Sequence, residues 1–341
     1  MKKLFIVIFL LFLIASAAAF YFYSAILTPN VSLKNQEDIL IHIPSKSSYA
    51  DLKKILSDYK ILNDEKSFDM VAKMMSFSNV KPGQFTIHNN WSNKELISVL
   101  RSGRQTPVNL TFNNIRTIEE LAGFFSHKVE PDSLSILNYF VSDQVLKETQ
   151  KTKEDIMTLF IPNTYQFYWN SNPKKLLDRM AYEHDQFFNK TRKTKLDDLN
   201  MSTSEVYTLA SIVQKETLVS SEKPRVAGVY INRLKRGQLL QADPTVVFAS
   251  GDFGLRRVLN KHLAIDSPYN TYKYEGLPPG PIAMPDITTI DAVLNYEKHN
   301  YLYFCASPDN SGKHLFARTL VQHNRNADKY RAYLNKRKIY R

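Results

Sequence analysis

Ser202-Thr203-Ser204-Glu205 leads into Val206 to Glu216 (VYTLASIVQKE), a stretch that reads as a helix. Its first four residues form a capping box, in which a Ser hydroxyl and a Glu carboxylate satisfy the free amides of a first helical turn. Val206, Leu209 and Val213 follow at helical spacing with Ala210 and Ile212 beside them, so the helix has one face for a core. Glu216 falls on that apolar face. Burial disfavours a charged carboxyl and the last turn of a helix presents partial negative charge, so both effects raise its pKa towards neutrality, which suits a general acid. Lys215 is turned about 100° away from it. The competing reading is that Glu216 frays outward or pairs with Arg225 or Arg233.

Downstream, polar and aromatic segments gather: Val229 to Leu234 (VYINRL), Gln241-Ala242-Asp243-Pro244-Thr245, Tyr269-Asn270-Thr271-Tyr272 and Gly276-Leu277-Pro278-Pro279-Gly280-Pro281. Rings stack on sugar faces and amides satisfy sugar hydroxyls that are costly to bury unpaired, so the set suits a glycan. Asp243, Glu222 and Glu275 are the further acids that could assist Glu216.

Upstream, residues 4–27 carry no charge, and about 24 residues rising 1.5 Å each span roughly 36 Å, enough for a bilayer core. Ala15-Ser16-Ala17 resembles a signal-peptide cleavage site, but the apolar run continues through Phe20, Tyr21, Phe22 and Tyr23 as an interfacial aromatic belt, which favours an anchor. Lys2 and Lys3 then place a tail of residues 1–3 in the cytoplasm and the rest outside the inner membrane. Residues 28–37 read as a tether. Ile39 to Ile43 reads as a strand, Ser47 to Leu56 and the Phe68, Val71, Met74, Met75 pattern as helices, and Pro82 to Ile87 as a returning strand. Ser92-Asn93-Lys94-Glu95 then opens a helix that Gly103 ends. This small α+β module, residues 38–104, resembles a LysM-like glycan-binding fold. Val108 to Phe112 and Thr117 to Leu121 begin the larger α+β domain, residues 105–341, mostly helical between about 130 and 200.

The chain has 341 residues, 43% of them hydrophobic, enough to bury a substantial core. Its one cysteine, Cys305, excludes an internal disulfide or a CxxC pair, and its eight scattered histidines argue against a metal site. The net charge of +12 concentrates at Lys190, Arg192, Lys193 and Lys195 and at Lys336, Arg337, Lys338 and Arg341. Neither cluster carries a nucleic-acid motif, so the charge fits a solvated surface near an anionic membrane or wall, and no nucleic-acid partner is expected.

In their order and spacing, Pro162-Asn163-Thr164-Tyr165, Leu209 to Thr217 (LASIVQKET), Val229 to Leu234, Leu240 to Thr245 (LQADPT), Tyr269 to Tyr272, Gly276 to Pro281, Tyr301 to Phe304 (YLYF), His314 and His323-Asn324 resemble the endolytic murein transglycosylase family. These are YceG-like membrane proteins that cut peptidoglycan strands. The resemblance spans nearly the whole chain. It implies that Glu216 is the catalytic acid and that the substrate lies against Asn232, Gln241, Asp243, Thr245, Tyr269, Asn270, Thr271 and Tyr272. It implies cleavage between N-acetylmuramic acid and N-acetylglucosamine to leave a 1,6-anhydro end, no cofactor and no metal, and a place beside the cell-wall synthesis enzymes. The sequence departs from the pattern at Gln214, where members commonly carry an acid, and at Leu159, Phe160 and Asn163, where many carry Glu-Gly and an aspartate. A glycan-binding scaffold without catalysis, and a hydrolase with a second acid, are the readings that compete with it.

Overall fold

The computed structural model describes residues 2–34, 36–255 and 257–337. Met1 of the expected cytoplasmic tail, and Lys338 and Arg341 of the C-terminal basic cluster, lie outside the described residues. The fold mixes helices and strands and divides into two compact units, one built from Met1–Leu110, Lys128–Pro131 and Gln166–Asn172, the other from Thr111–His127, Asp132–Tyr165 and Pro173–Arg341.

In the first unit, α1 (Lys2–Leu27) is apolar and long enough to cross a membrane, with none of its residues buried. After it come β1 (Asp38–Ile43), α2 (Tyr49–Asp58), α3 (Glu65–Met74), β2 (Gly83–His88) and α4 (Asn93–Ser102). The two strands pair antiparallel, from Asp38 opposite His88 to Ile43 opposite Gly83, giving a β-α-α-β order. Alternation along β1 turns Ile41 and Ile43 inward, where Leu52, Phe68, Phe85 and Leu96 close the core around them. The expected capping box at Ser92 and Glu95 is present, and Gly103 ends α4 with φ 71°. That left-handed turn favours glycine.

Residues 28–37, expected as a tether, are instead built into this unit as far as Leu33. Val31 is buried, its amide and that of Asn30 donate to the Trp91 carbonyl (2.9 Å each), and the Ser32 amide donates to Ile61 O at 2.9 Å. The Asn30 side chain donates to Asn93 Oδ1 (2.7 Å) and to Asp64 O (2.9 Å), and Asn93 Nδ2 donates to Ala25 O at the end of α1 (2.9 Å). These amides satisfy backbone groups that the packing of α1 on α3 and α4 takes out of water. Hydropathy alone could not show this, because a short polar segment looks the same whether it is free or stapled.

The second unit takes in the end of β3 (Val108–Phe112), then α5 (Ile118–Ser126), α6 (Ser133–Phe140), α7 (Asp143–Thr149) and the start of β4 (Asn163–Phe167). Within it the hydroxyls of Thr111 and Thr164 lie 2.8 Å apart, and the Phe112 and Tyr165 rings 5.5 Å apart. Next come α8 (Pro173–Phe187), α9 (Lys190–Leu199), α10 (Thr203–Glu216), α11 (Lys223–Leu234), α12 (Asp243–Ser250), α13 (Asn260–Leu263) and α14 (Ile287–Leu294). A hairpin of β5 (Tyr303–Ala306) and β6 (His314–Ala317) precedes α15 (Leu320–Lys336). The central helix is α10, which packs on α11, α12 and α14 and buries Val206, Leu209 and Val213 completely.

The loop at Gly276 to Pro281 is architectural. A Cβ on Gly280 would sit 1.9 Å from the carbonyl oxygen of Glu154 and 2.5 Å from its carbonyl carbon, and backbone cannot swing aside as a side-chain tip can. Gly280→Ala is therefore expected to destabilise the protein by about 1–3 kcal/mol or more, read as a lower urea midpoint with an unchanged slope.

Candidate active site

The Ser202–Glu205 capping box fixes the start of α10, and thirteen residues of helix later the chain delivers Glu216 to the floor of a cleft of about 1470 Å³. That volume exceeds the roughly 300–1,000 Å³ typical of small-molecule sites and suits a segment of polymer. Glu216 is half-buried, open to the cleft and enclosed by protein elsewhere. Beneath it, α11 brings up Tyr230, whose ring is 2% exposed and whose hydroxyl donates to Glu216 Oε1 at 2.7 Å. Oε1 is thus occupied as an acceptor, which leaves Oε2 to carry a proton.

Neither arginine considered as a partner neutralises this carboxyl by contact. Arg225 Nε lies 2.9 Å from Glu297 Oε2. Arg233, one turn beyond Tyr230 on α11, is buried and donates to Leu302 O (2.7 Å), to Leu239 O and Leu240 O (3.0 Å each) and to Gln241 Oε1 (3.2 Å). Burial therefore dominates and pushes the Glu216 pKa up to about 7. The Tyr230 hydrogen bond pulls it down, the charge of Asp243 adds to the rise, and the charge of Arg233 opposes it. Tyr230→Phe removes the bond that favours the carboxylate, so it is expected to raise the Glu216 pKa further, visible as an alkaline shift of the carboxyl carbon-13 titration. A midpoint that stayed put or fell would contradict this role for Tyr230.

Of the other residues expected at the site, Asp243 lines the cleft, at the start of α12, and its Oδ1 accepts the Tyr272 hydroxyl at 2.6 Å. The Tyr269 ring packs tilted against Phe248 of the cleft wall, ring centroids 4.6 Å apart. The rest hold the loops. Thr245 and Thr271 are buried with hydroxyls 2.8 Å apart, and Thr271 Oγ1 accepts from the Ala242 amide at 3.0 Å. Asn270, fully buried, donates to Leu263 O (3.0 Å) and Ile265 O (2.8 Å). Asn232 donates to His299 O (2.7 Å) and Tyr301 O (3.0 Å). Gln241, with φ 52°, is pinned by Arg233 and by its own amide on Thr271 O (3.0 Å).

Among the further acids, Glu222 is buried, with Oε1 accepting the His314 amide (2.9 Å) and Oε2 3.0 Å from His314 Nδ1. Glu275 is exposed and stands outside the described lining of the cleft. Lys215, turned away from Glu216 along the helix, still reaches the same cleft, as do Arg116 and, from α15, Tyr330 and Arg331.

Comparison with known proteins places this chain in a family. The description of the YceG-like family matches residues 41–329, most of the chain and all the residues just named except Tyr330 and Arg331. The chain belongs to the YceG-like family. It is 28% identical over 327 residues to the endolytic murein transglycosylase of Bacillus subtilis (strain 168), covering 92% of this chain and 90% of that one. It is 27% identical over 357 residues to the endolytic murein transglycosylase of Streptococcus pneumoniae serotype 2 (strain D39), covering 95% of this chain but only 64% of that longer protein. A putative YceG-like protein from Listeria monocytogenes, with a 2.6 Å crystal structure, aligns with a TM-score of 0.56 at 28% identity, covering 85% of this chain and 98% of that one. In this YceG-like chain the neutral Gln214 bridges charges. Its Nε2 donates to Asp286 Oδ2 (2.8 Å), and its Oε1 accepts from Lys223 Nζ (2.8 Å) and from the Thr289 hydroxyl.

Proposed function

We propose that this protein is a membrane-anchored endolytic lytic transglycosylase of peptidoglycan, cutting the β-1,4 bond between N-acetylmuramic acid and N-acetylglucosamine in nascent strands. The observation that carries the reading is a single carboxyl, Glu216, poised to be protonated near neutrality in a polymer-sized cleft. The names of the relatives support the substrate.

Glu216 gives its proton to the glycosidic oxygen as the C1–O4 bond breaks. The 6-hydroxyl oxygen of the same muramyl residue attacks C1, forming the C1–O6 bond of a 1,6-anhydro ring. Its proton returns to the Glu216 carboxylate, which restores the acid. Because the nucleophile is intramolecular, with effective molarities of order 10^5 M or more in a well-oriented pose, no second carboxylate has to activate water. Tyr230 orients the carboxyl and keeps its pKa from climbing beyond reach.

The helix α1 serves as the anchor, with Lys2 and Lys3 on the cytoplasmic side and the chain after it outside the membrane. The β-α-α-β module acts as a LysM-like holder of the strand. Working beside the synthesis enzymes, cuts in nascent strands would end their elongation.

Asp243 in the same cleft gives the hydrolase reading its one specific support, since it could act as the base for water. Mass spectrometry of the products from uncrosslinked strands separates the two. The anhydro product is one water lighter than a reducing end, and reducing ends alone would reject the transglycosylase reading. Strands retained by the protein without any shortening would favour a binding scaffold.

A further inference from the structure

We propose that Arg116 and Lys215 form a carboxylate-binding subsite that grips an acidic group hanging from the muramyl residue next to the scissile bond. The inference rests on reading the cleft as the glycan-cleaving site and adds what that site recognises beyond sugar.

Lys215 and Arg116 are half-buried in the wall of the cleft that holds Glu216. Lys215 Nζ donates to Asn114 Oδ1 at 2.8 Å, a neutral acceptor. The Arg116 guanidinium lies 4.4 Å from the centre of the Phe253 ring, and the Arg116 backbone amide donates to Glu120 Oε2 at 2.9 Å. Among the described residues neither makes a salt bridge. Burial and the charge of Arg116 push the Lys215 pKa down, and the charges of Asp286 and Glu120 offset this in part.

The two cations line the same cleft and feel each other's charge. The Met284 amide donates to Ile115 O at 2.7 Å and the Ile282 amide to Ser211 Oγ of α10 at 3.0 Å, which ties the segment carrying Arg116 to α10. Two like charges in a partly dehydrated wall repel each other, and an incoming anion turns that cost into attraction. An Arg fork with a Lys point charge beside it matches a carboxylate. Arg257 and Arg331 on the same cleft extend the positive field, although Arg331 also pairs with Asp328.

A glycan backbone itself carries no charge. The carboxylates of peptidoglycan hang from the muramyl residue, either on the stem peptide or, where the peptide has been removed, on the bare lactyl group.

The test uses full-length Glu216→Gln protein in detergent, so that the ligand is not consumed, and calorimetry with three muramyl tetrasaccharides. One carries peptide stems with free carboxylates, one carries the same stems fully amidated, and one is stripped to the lactyl carboxylate. We expect at least one carboxylate ligand to bind about tenfold tighter than the neutral amidated one, which identifies the source of the carboxylate. The advantage should vanish when Lys215→Gln or Arg116→Gln is added, and shrink with salt. Equal affinity for all three ligands would overturn the subsite and leave the glycan site standing. No binding of any ligand at millimolar concentration would overturn both. A preference that survived both substitutions would overturn the assignment to this pair.

Discussion

Glu216→Gln is expected to slow cleavage of peptidoglycan strands by about 10^2- to 10^4-fold, the range over which a positioned general acid acts. The amide keeps the shape of the carboxyl and can still accept the Tyr230 hydroxyl through Oε1, so the fold and the affinity for glycan should persist. Thermal stability supplies an independent readout. The folded-state pKa, about 7, lies above the ordinary carboxyl value of 4.5, so folding favours the protonated form. That contribution is fully present below about pH 4.5 and is lost as pH rises through about 7. A permanently neutral Gln retains it. The variant should match the wild type near pH 4 and exceed it at pH 8 by on the order of 1–2 kcal/mol, once water in the cleft is allowed for. Unchanged turnover would remove Glu216 from the mechanism, and equal melting curves at pH 8 would show that the carboxyl is ordinarily solvated.

What could be read in advance was local. The capping boxes at Ser92 and Ser202 and the apolar spacing that ends on Glu216 depend on residues within a few turns of each other, and the structure has them where the sequence puts them. The partners of Glu216 were not legible in the same way. Tyr230 looks like any core tyrosine until α11 folds back along α10 and brings its hydroxyl to Oε1. Lys215 points away from Glu216 on a helical wheel, yet a cleft wide enough for a polymer takes in both directions. Tyr330 and Arg331 reach the cleft only because α15 packs on the β5–β6 hairpin, more than a hundred residues from Glu216. Amides and hydroxyls such as Asn232, Asn270 and Thr271 have the chemistry to partner a sugar, and the same hydrogen-bonding capacity serves backbone carbonyls and amides in their loops. Residue type announces a need for partners without saying who they are.

Replacing Arg233 is expected to have the largest effect on stability in the neighbourhood of the site. Its buried guanidinium spans the carbonyls of Leu239, Leu240 and Leu302 and the side chain of Gln241, with the Tyr303 ring 5.0 Å away. Only a planar fork of donors reaches acceptors in those directions at once. Arg233→Met leaves the carbonyls buried without partners, at about 1–3 kcal/mol each for those that water cannot reach, so a total loss of about 3 kcal/mol is expected. Arg233→Lys restores a charge but not the fork, and should lose about 2 kcal/mol. The two variants differ in a second observable. The charge of Arg233 is one of the influences holding the Glu216 pKa down, so Met should raise that pKa while Lys leaves it nearly in place. Denaturant titration together with the carboxyl titration of each variant therefore separates two roles of one side chain. A Met variant as stable as the wild type would show that the loops carrying Gln241 and Leu302 hold themselves. A Met variant that lost stability without moving the titration would confine Arg233 to the scaffold, leaving burial, the Tyr230 hydrogen bond and Asp243 to set the protonation of Glu216.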